Sequence, residues 1–186
     1  NGVRVLAGEQ PVGEPRGDNL VFTANVPVAP GTYVARVAVI DGSGRIGSVD
    51  HRIDAHRAVI GGIASTDPLL LRVPPAGRGE TRVALDTVTQ DERLAIQIDL
   101  DGERALLEAT TVDFDVATTA DGPPLVKASG NLVSNRTGSV VAQGVSEMRM
   151  LPPGAYFARA HVRSNGDLVG EMRRPFTLKA ASLDTT

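Results

Sequence analysis

The chain has 186 residues, room for one large domain or two small ones, and is 41% hydrophobic and 22% charged, a composition of folded domains and not of disordered segments. Its net charge of −3 gives no electrostatic reason to expect a nucleic acid or an anionic membrane as partner, and no apolar run approaches the ~18 residues of a membrane span. The absence of cysteine excludes disulfide scaffolds and thiolate metal sites without deciding the compartment.

The chain opens on Asn1 and shows no signal-peptide pattern, so it is read as a piece of a longer protein. Of its 19 basic residues only Lys127 and Lys179 are lysine, an arginine bias expected of a GC-rich bacterial genome.

Residues 1–55 contain four strand-like segments, VRVLA, LVFTANV, TYVARVAVI and RIGSVDHRID. The third follows a Pro30-Gly31 turn and alternates cleanly, with Tyr33, Ala35, Val37 and Val39 on one face. The other face, Val34, Ala38 and Ile40, is unusually apolar and is expected to contact a neighbour. DGSG then marks a hairpin turn. VARVAVIDGSGR also resembles the start of a von Willebrand A domain, where Asp-x-Ser-x-Ser oxygens hold Mg²⁺. Asp41 and Ser43 fit, but Arg45 puts a cation in a ligand's place, so a turn is expected. Ile46 and Val49 have opposite parity, which predicts a β-bulge at Gly47.

From residue 57 onward, PLLLRVP, TRVALDT, RLAIQIDL, TTVDFDVA, PLVKASGNLV and GSVVAQGVSEM read as short strands separated by Gly/Pro/Asp/Asn turns, about eight in all with the closing pair. GERALLEA fits one helical turn. QIDLDGERALLE has the outline of a calcium loop: Asp99, Asp101, Gly102 and Glu108 occupy the third, fifth, sixth and twelfth places, while Gln97 stands first where Asp belongs. A solvated strand end is expected over a metal site. Asp113 and Asp115 alternate with Val112, Phe114 and Val116 and are expected to face solvent.

The opening motif then returns. PGTYVARVAVIDGSGRIG at Pro30 reappears as PGAYFARAHVRSNGDLVG at Pro153, and at this offset of 123 the copies match at Pro153, Gly154, Tyr156, Ala158, Arg159, Val162 and Gly170. Tyr156, Ala158, Ala160 and Val162 form the predicted buried face. Asn165-Gly166 predicts a type I′ turn, the phase change across Gly170 a bulge, and Pro175 an edge strand. On the outward face Arg159, His161 and Arg163, with Arg173 and Arg174 nearby, form a basic stripe and the candidate binding face, read first as solvated. The histidines His51, His56 and His161 show no catalytic spacing, and no Gly-x-Ser-x-Gly elbow occurs. NRT at 135–137 matches a glycosylation sequon.

A turn, Tyr-x-Ala, a hairpin and a terminal strand resemble strands F and G of an immunoglobulin-like sandwich, with each tyrosine hydroxyl bonding back to the preceding turn. LPPGAYFARAHVRSNGDLVGEMRRPFTL and PGTYVARVAVIDGSGRIGSVDHRI are similar to the Ig-like C-terminal regions of secreted bacterial proteins with a von Willebrand A-related domain. That resemblance implies an accessory module in an exported protein.

The expected fold is therefore all-β: an immunoglobulin-like or fibronectin-like β-sandwich, with residues 1–55 the C-terminal strands of a partial copy and residues 56–186 the complete domain. The expected role is a non-catalytic structural or protein–protein interaction module of a larger secreted or surface bacterial protein, extracellular, periplasmic or at the cell surface. Its partners would be a protein or neighbouring domains of the same chain, with no cofactor, no nucleic acid and no membrane span. The alternative is a carbohydrate-type accessory domain of a secreted enzyme, against which stands the aromatic content of 3%.

Overall fold

The computed structural model of the chain describes Gly8, Val26 and residues 28–75, 81–134 and 139–181. The expected strand VRVLA, LVFTANV apart from Val26, and the NRT sequon lie outside the described residues. The chain divides into two compact units, Asn1–His56 and Arg57–Thr186.

In the first unit the described structure is one antiparallel ribbon, β1 (Gly31–Ile40) and β2 (Ile46–Ala55). Ten pairs run without interruption from Gly31↔Ala55 to Ile40↔Ile46. The bulge expected at Gly47 is absent. The aliphatic side chains of the ribbon are exposed on both faces, so no packing rewards a change of phase, regular pairing continues and Ile46 shares the outward face with Ile40.

The turn is built by Asp41. Its Oδ1 accepts from the Ser43 hydroxyl and the Ser43 and Arg45 amides at 2.6–3.0 Å, and its Oδ2 from Arg45 Nε at 2.7 Å. Gly44 takes a positive φ of 82°, which a side chain would resist. The residues with a metal-site outline thus saturate each other as a turn.

The second unit contains β3 (Ala58–Ile60), β4 (Ile63–Ser65), β5 (Leu69–Val73), β6 (Arg82–Val83), β7 (Thr87–Thr89), β8 (Arg93–Asp101), helix α1 (Arg104–Glu108), β9 (Thr110–Ala117), β10 (Val126–Ser129), β11 (Asn131–Ser134), β12 (Val140–Glu147), β13 (Gly154–Ser164) and β14 (Asp167–Lys179). They form two sheets. One has the order β10-β9-β13-β14-β7, with β7 parallel to β14; the other runs β11-β12-β8-β4-β3, with β5 and β6 also joined to it through β8. This all-β sandwich, with its Tyr-bearing hairpin at the centre of one sheet, is immunoglobulin-like in its partition of strands.

The core lies between the sheets. Leu94, Ile96, Ile98 and Leu100 of β8 meet Val112, Phe114 and Val116 of β9 and the Tyr156 face of β13 within one buried cluster. Tyr156 stacks on its register partner Phe176, ring centroids 5.8 Å apart, and its hydroxyl donates to Pro152 O at 2.7 Å. Tyr33 makes the same bond to Ala29 O at 2.6 Å. Both tyrosine corners are therefore formed.

Several local expectations hold. Asn165 and Gly166 have φ of 52° and 90°, as a type I′ turn demands. The pairing of β13 with β14 slips between Val162 and Arg163, leaving Val169 as the extra residue beside Gly170. Pro175 sits in β14 before the stretch that pairs with β7, so its missing N–H costs no ladder bond.

Others do not hold. The twelve strands described in this unit exceed the expected eight, for three reasons, the first being that TRVALDT holds only β6 and the start of a separate β7. VIGGI folds as a β3–β4 hairpin on Gly61 and Gly62, both at positive φ. PLVKASGNLV breaks at Gly130 into β10 and β11, which belong to different sheets. A Cβ at Gly130 would press on Val112 O at 2.5 Å, so this sheet switch requires glycine.

Candidate interaction surface

The calcium-loop residues do not converge. Asp99 lies in β8, where its amide donates to Thr66 Oγ1 at 2.9 Å and its Oδ1 accepts from Gln97 at 3.3 Å. Asp101 pairs with Arg57 at 2.8 Å, and Glu108, closing α1, pairs with Arg104 at 2.7 Å. Among the described residues no group of three or more His, Asp or Glu side chains is placed to share a metal ion.

The basic stripe of β13 is not a solvated face. Arg159 is only 5% exposed and Asp115, opposite it on β9, is 5% exposed, so the solvent-facing placement expected of both residues is overturned. The cause is the β9–β10 connection, which folds over this face. Arg159 Nη1 donates to Ala120 O at 3.1 Å and Gly122 O at 2.9 Å, while its Nε donates to Asp115 Oδ1 at 2.5 Å.

Neighbouring charges continue the pattern over three strands. His161 stands between carboxylates, with Nε2 2.7 Å from Asp115 Oδ2 and Nδ1 3.2 Å from Glu171 Oε2. Glu171 also accepts from Arg173, which reaches Asp121 on the covering loop at 2.8 Å. Arg163 lies 3.6 Å from Asp113, which is exposed as expected. Arg159, His161, Arg163 and Arg173 thus each have a carboxylate, while Arg174 donates instead to Pro68 O at 3.0 Å and Leu85 O at 2.9 Å, so these cations are engaged and do not stand free for an acidic partner. With both ring nitrogens engaged, His161 has none free for a substrate. The arrangement fastens a loop to a sheet.

A shallow cleft of about 290 Å³ opens between Pro75, Gln90, Asp91, Arg93, Glu147 and Arg149. Its two acids and two arginines balance, and it carries no aromatic ring for a sugar to stack on. Of the remaining histidines, His51 lies exposed on β2 and His56 bonds to Asp54.

The β1–β2 ribbon has the opposite character. The register of β1 with β2, shifted by the repeat offset, reproduces that of β13 with β14 up to Val162↔Gly170. Tyr33, Ala35, Val37, Val39, Val49 and Ile53 therefore correspond to Tyr156, Ala158, Ala160, Val162, Met172 and Phe176. The second set is buried in the core. In the first, Val37, Val39, Val49 and Ile53 are 41–62% exposed. On the reverse face Val34, Ile40 and Ile46 are also exposed, around an Arg36–Asp50 pair joined by two 2.7 Å bonds. Isolated exposed aliphatics are ordinary, but a contiguous set at core-forming positions marks an interaction surface.

Sequence periodicity found this face and its reverse; it missed the buried lattice, for which the available signal was Asp113 and Asp115 on one strand and Arg159 and His161 on another at the same spacing of two. No protein-family model and no curated protein matches the chain. No helix among the described residues is long and apolar enough to cross a membrane.

Proposed function

We propose that the chain is a non-catalytic structural or protein–protein interaction module of a larger secreted or surface bacterial protein, with the β1–β2 ribbon as its contact surface. The observation that carries this reading is the exposure of Val37, Val39, Val49 and Ile53 at positions whose equivalents form a core. Completing the burial of such half-exposed side chains is worth roughly 1 kcal/mol each, which favours a partner of matching shape. The engaged charges of the β13 stripe also favour the ribbon over that stripe as the contact. The resemblance to accessory regions of exported bacterial proteins supplies the setting.

The carbohydrate-type accessory domain is disfavoured because the large exposed apolar side chains among the described residues are all aliphatic, whereas sugar rings pack on aromatic faces.

The test is to pan a displayed peptide library on the immobilised full chain, in parallel with a glycan array. Peptides that bind wild type and are lost with Val37→Lys/Val49→Lys support the module. Glycan binding with no selected peptide would replace it with the alternative reading, and peptides indifferent to both substitutions would move the contact elsewhere.

A further inference from the structure

The edges of the two repeat hairpins differ as much as their faces. In the second unit β13 is paired on both sides, with β14 and, from Phe157↔Ala117 to Ser164↔Thr110, with β9. In the first unit β1 is paired with β2 alone among the described residues. Its outer edge is ten residues long, free of proline and in unbroken register, and its single charged residue is Arg36. Proteins ordinarily blunt a free edge with proline, bulges or inward charge. The β14 strand has the first two, in Pro175 and the slip at Val169, and β1 has none.

We propose that the outer edge of β1, unpaired among the described residues, is a strand-addition site, which takes an extended segment of a partner protein in antiparallel register. This rests on the reading of the ribbon as an interaction surface and names how the partner is held. The ladder of main-chain bonds would supply affinity, and alternate side chains specificity.

The filled site at β13 shows what chemistry the segment needs. Val116, Phe114 and Val112 of β9 lie opposite Ala158, Ala160 and Val162, and Asp115 lies opposite Arg159. Carried over by the repeat, the partner segment places aliphatic or aromatic side chains opposite Ala35, Val37 and Val39 and an acidic side chain opposite Arg36. The Arg36 side chain is 72% exposed although bonded to Asp50, and a guanidinium has donors for a second carboxylate.

A second copy of the chain fits this edge less well. Pairing β1 with β1 of another molecule brings no acid to Arg36, because β1 contains none. Pairing β1 with another β2 repeats head to tail and leads to open fibres instead of a closed dimer.

The test uses the full chain and a fluorescent peptide with the β9 sequence TTVDFDVA bearing a polar tail, followed by anisotropy. Two further peptides carry N-methyl groups on alternate amides, one in each phase, because an antiparallel ladder draws on every second residue. Saturable one-to-one binding is expected, weakened at least about tenfold by methylation in one phase and little by the other, a difference of ~1.4 kcal/mol or more. Replacing the peptide's second Asp by Lys should weaken binding severalfold. The Asp41 amide bonding to Arg45 O sets the odd-numbered amides of β1 toward β2 and the even-numbered ones outward, so Ala38→Pro in the protein should abolish binding.

Absence of saturable binding, or equal binding of both methylated peptides, overturns strand addition. So does sedimentation showing the chain already paired with itself through an edge that Ala38→Pro releases. Library peptides that need Val37 and Val49 but tolerate methylation in either phase would leave the interaction surface standing and remove only this mode of binding.

Discussion

The molecule contains one hairpin twice, in two states of completion. Around β13 and β14 the Tyr face is sealed by a second sheet, the outer face by a clamped loop, and the inner edge by β9. Around β1 and β2 the same tyrosine corner exists, with the same register up to Val39↔Gly47, and the aliphatic side chains are exposed on both faces. The difference separates what a hairpin specifies by itself from what its neighbours add. Turn chemistry and the tyrosine corner are local, requiring contacts only four residues apart, and both copies have them. Among the described residues the bulge and the buried arginine occur where a second layer exists, whereas the stacked aromatic pair is a matter of sequence, since Ile53 stands opposite Tyr33 where Phe176 stands opposite Tyr156.

The sharpest way to break the comparison is to truncate the same register position in each copy. Phe176→Ala opens a cavity beside Tyr156 and should destabilise the second unit by about 3–5 kcal/mol, read by chemical denaturation of the full chain. Ile53→Ala, its repeat equivalent, should change stability by less than ~0.5 kcal/mol. An equal loss at both positions would mean that the ribbon face is buried in solution.

A comparable loss is expected from the charges. Asp115→Ala leaves the Arg159 guanidinium buried with only two carbonyls and should cost about 3–5 kcal/mol. Replacing both partners, as Asp115→Leu/Arg159→Met, should recover most of that, since burying the pair costs desolvation that an apolar pair does not incur. Breaking the exposed Arg36–Asp50 pair of the first copy with Asp50→Ala should leave the unfolding midpoint unmoved. Retention of stability in Asp115→Ala would show that the loop over β13 opens readily to water.

Smaller effects follow at the shared glycine. A Cβ at Gly170 would overlap the Ile60 side chain, whereas one at Gly47 meets nothing within 4 Å. Gly170→Ala should cost about 1–3 kcal/mol through overpacking, and Gly47→Ala should be neutral. The same residue is thus held by packing in one copy and only by pairing in the other.

How much of this was legible in the sequence follows from the range of the interactions involved. Alternation at Tyr33–Val39, Leu94–Leu100 and Tyr156–Val162 revealed the strands and their buried faces, because period-two burial is written into neighbouring residues. The repeat offset carried the hairpin register as well. Gly61-Gly62, between two apolar pairs, is itself a readable turn signal.

The burial of Asp115 and Arg159 was not legible by alternation. Strand periodicity assigns them outward, and what buries them is a loop whose path is set by Arg159 donating to Ala120 and Gly122 and by Arg173 meeting Asp121. The break at Gly130 was hidden for a similar reason, since local composition does not say which sheet the next strand joins.

The finest distinction lies in the two turns. Asp41 is held at about 2, below the ordinary 3.8, by the Ser43 hydroxyl first, then the Arg45 amide and guanidinium, which outweigh the small effect of burial. A carboxylate depressed in the folded state adds stability that is present above its ordinary value and is lost as pH falls through its folded one. Amide protection of the Asp41–Arg45 turn should therefore persist below pH 3.8 and fall through about 2, followed by exchange or carboxyl shifts. Ser43→Ala should move that midpoint up toward 3.8. The Asn165-Gly166 turn is held instead by its positive torsions, by the Asn165 amide donating to Ala109 O and by Arg163 Nη1 donating to Gly166 O, so its amide protection should not follow that midpoint. If both turns loosened together on acidification, the first would owe its form to the strands it joins and not to Asp41.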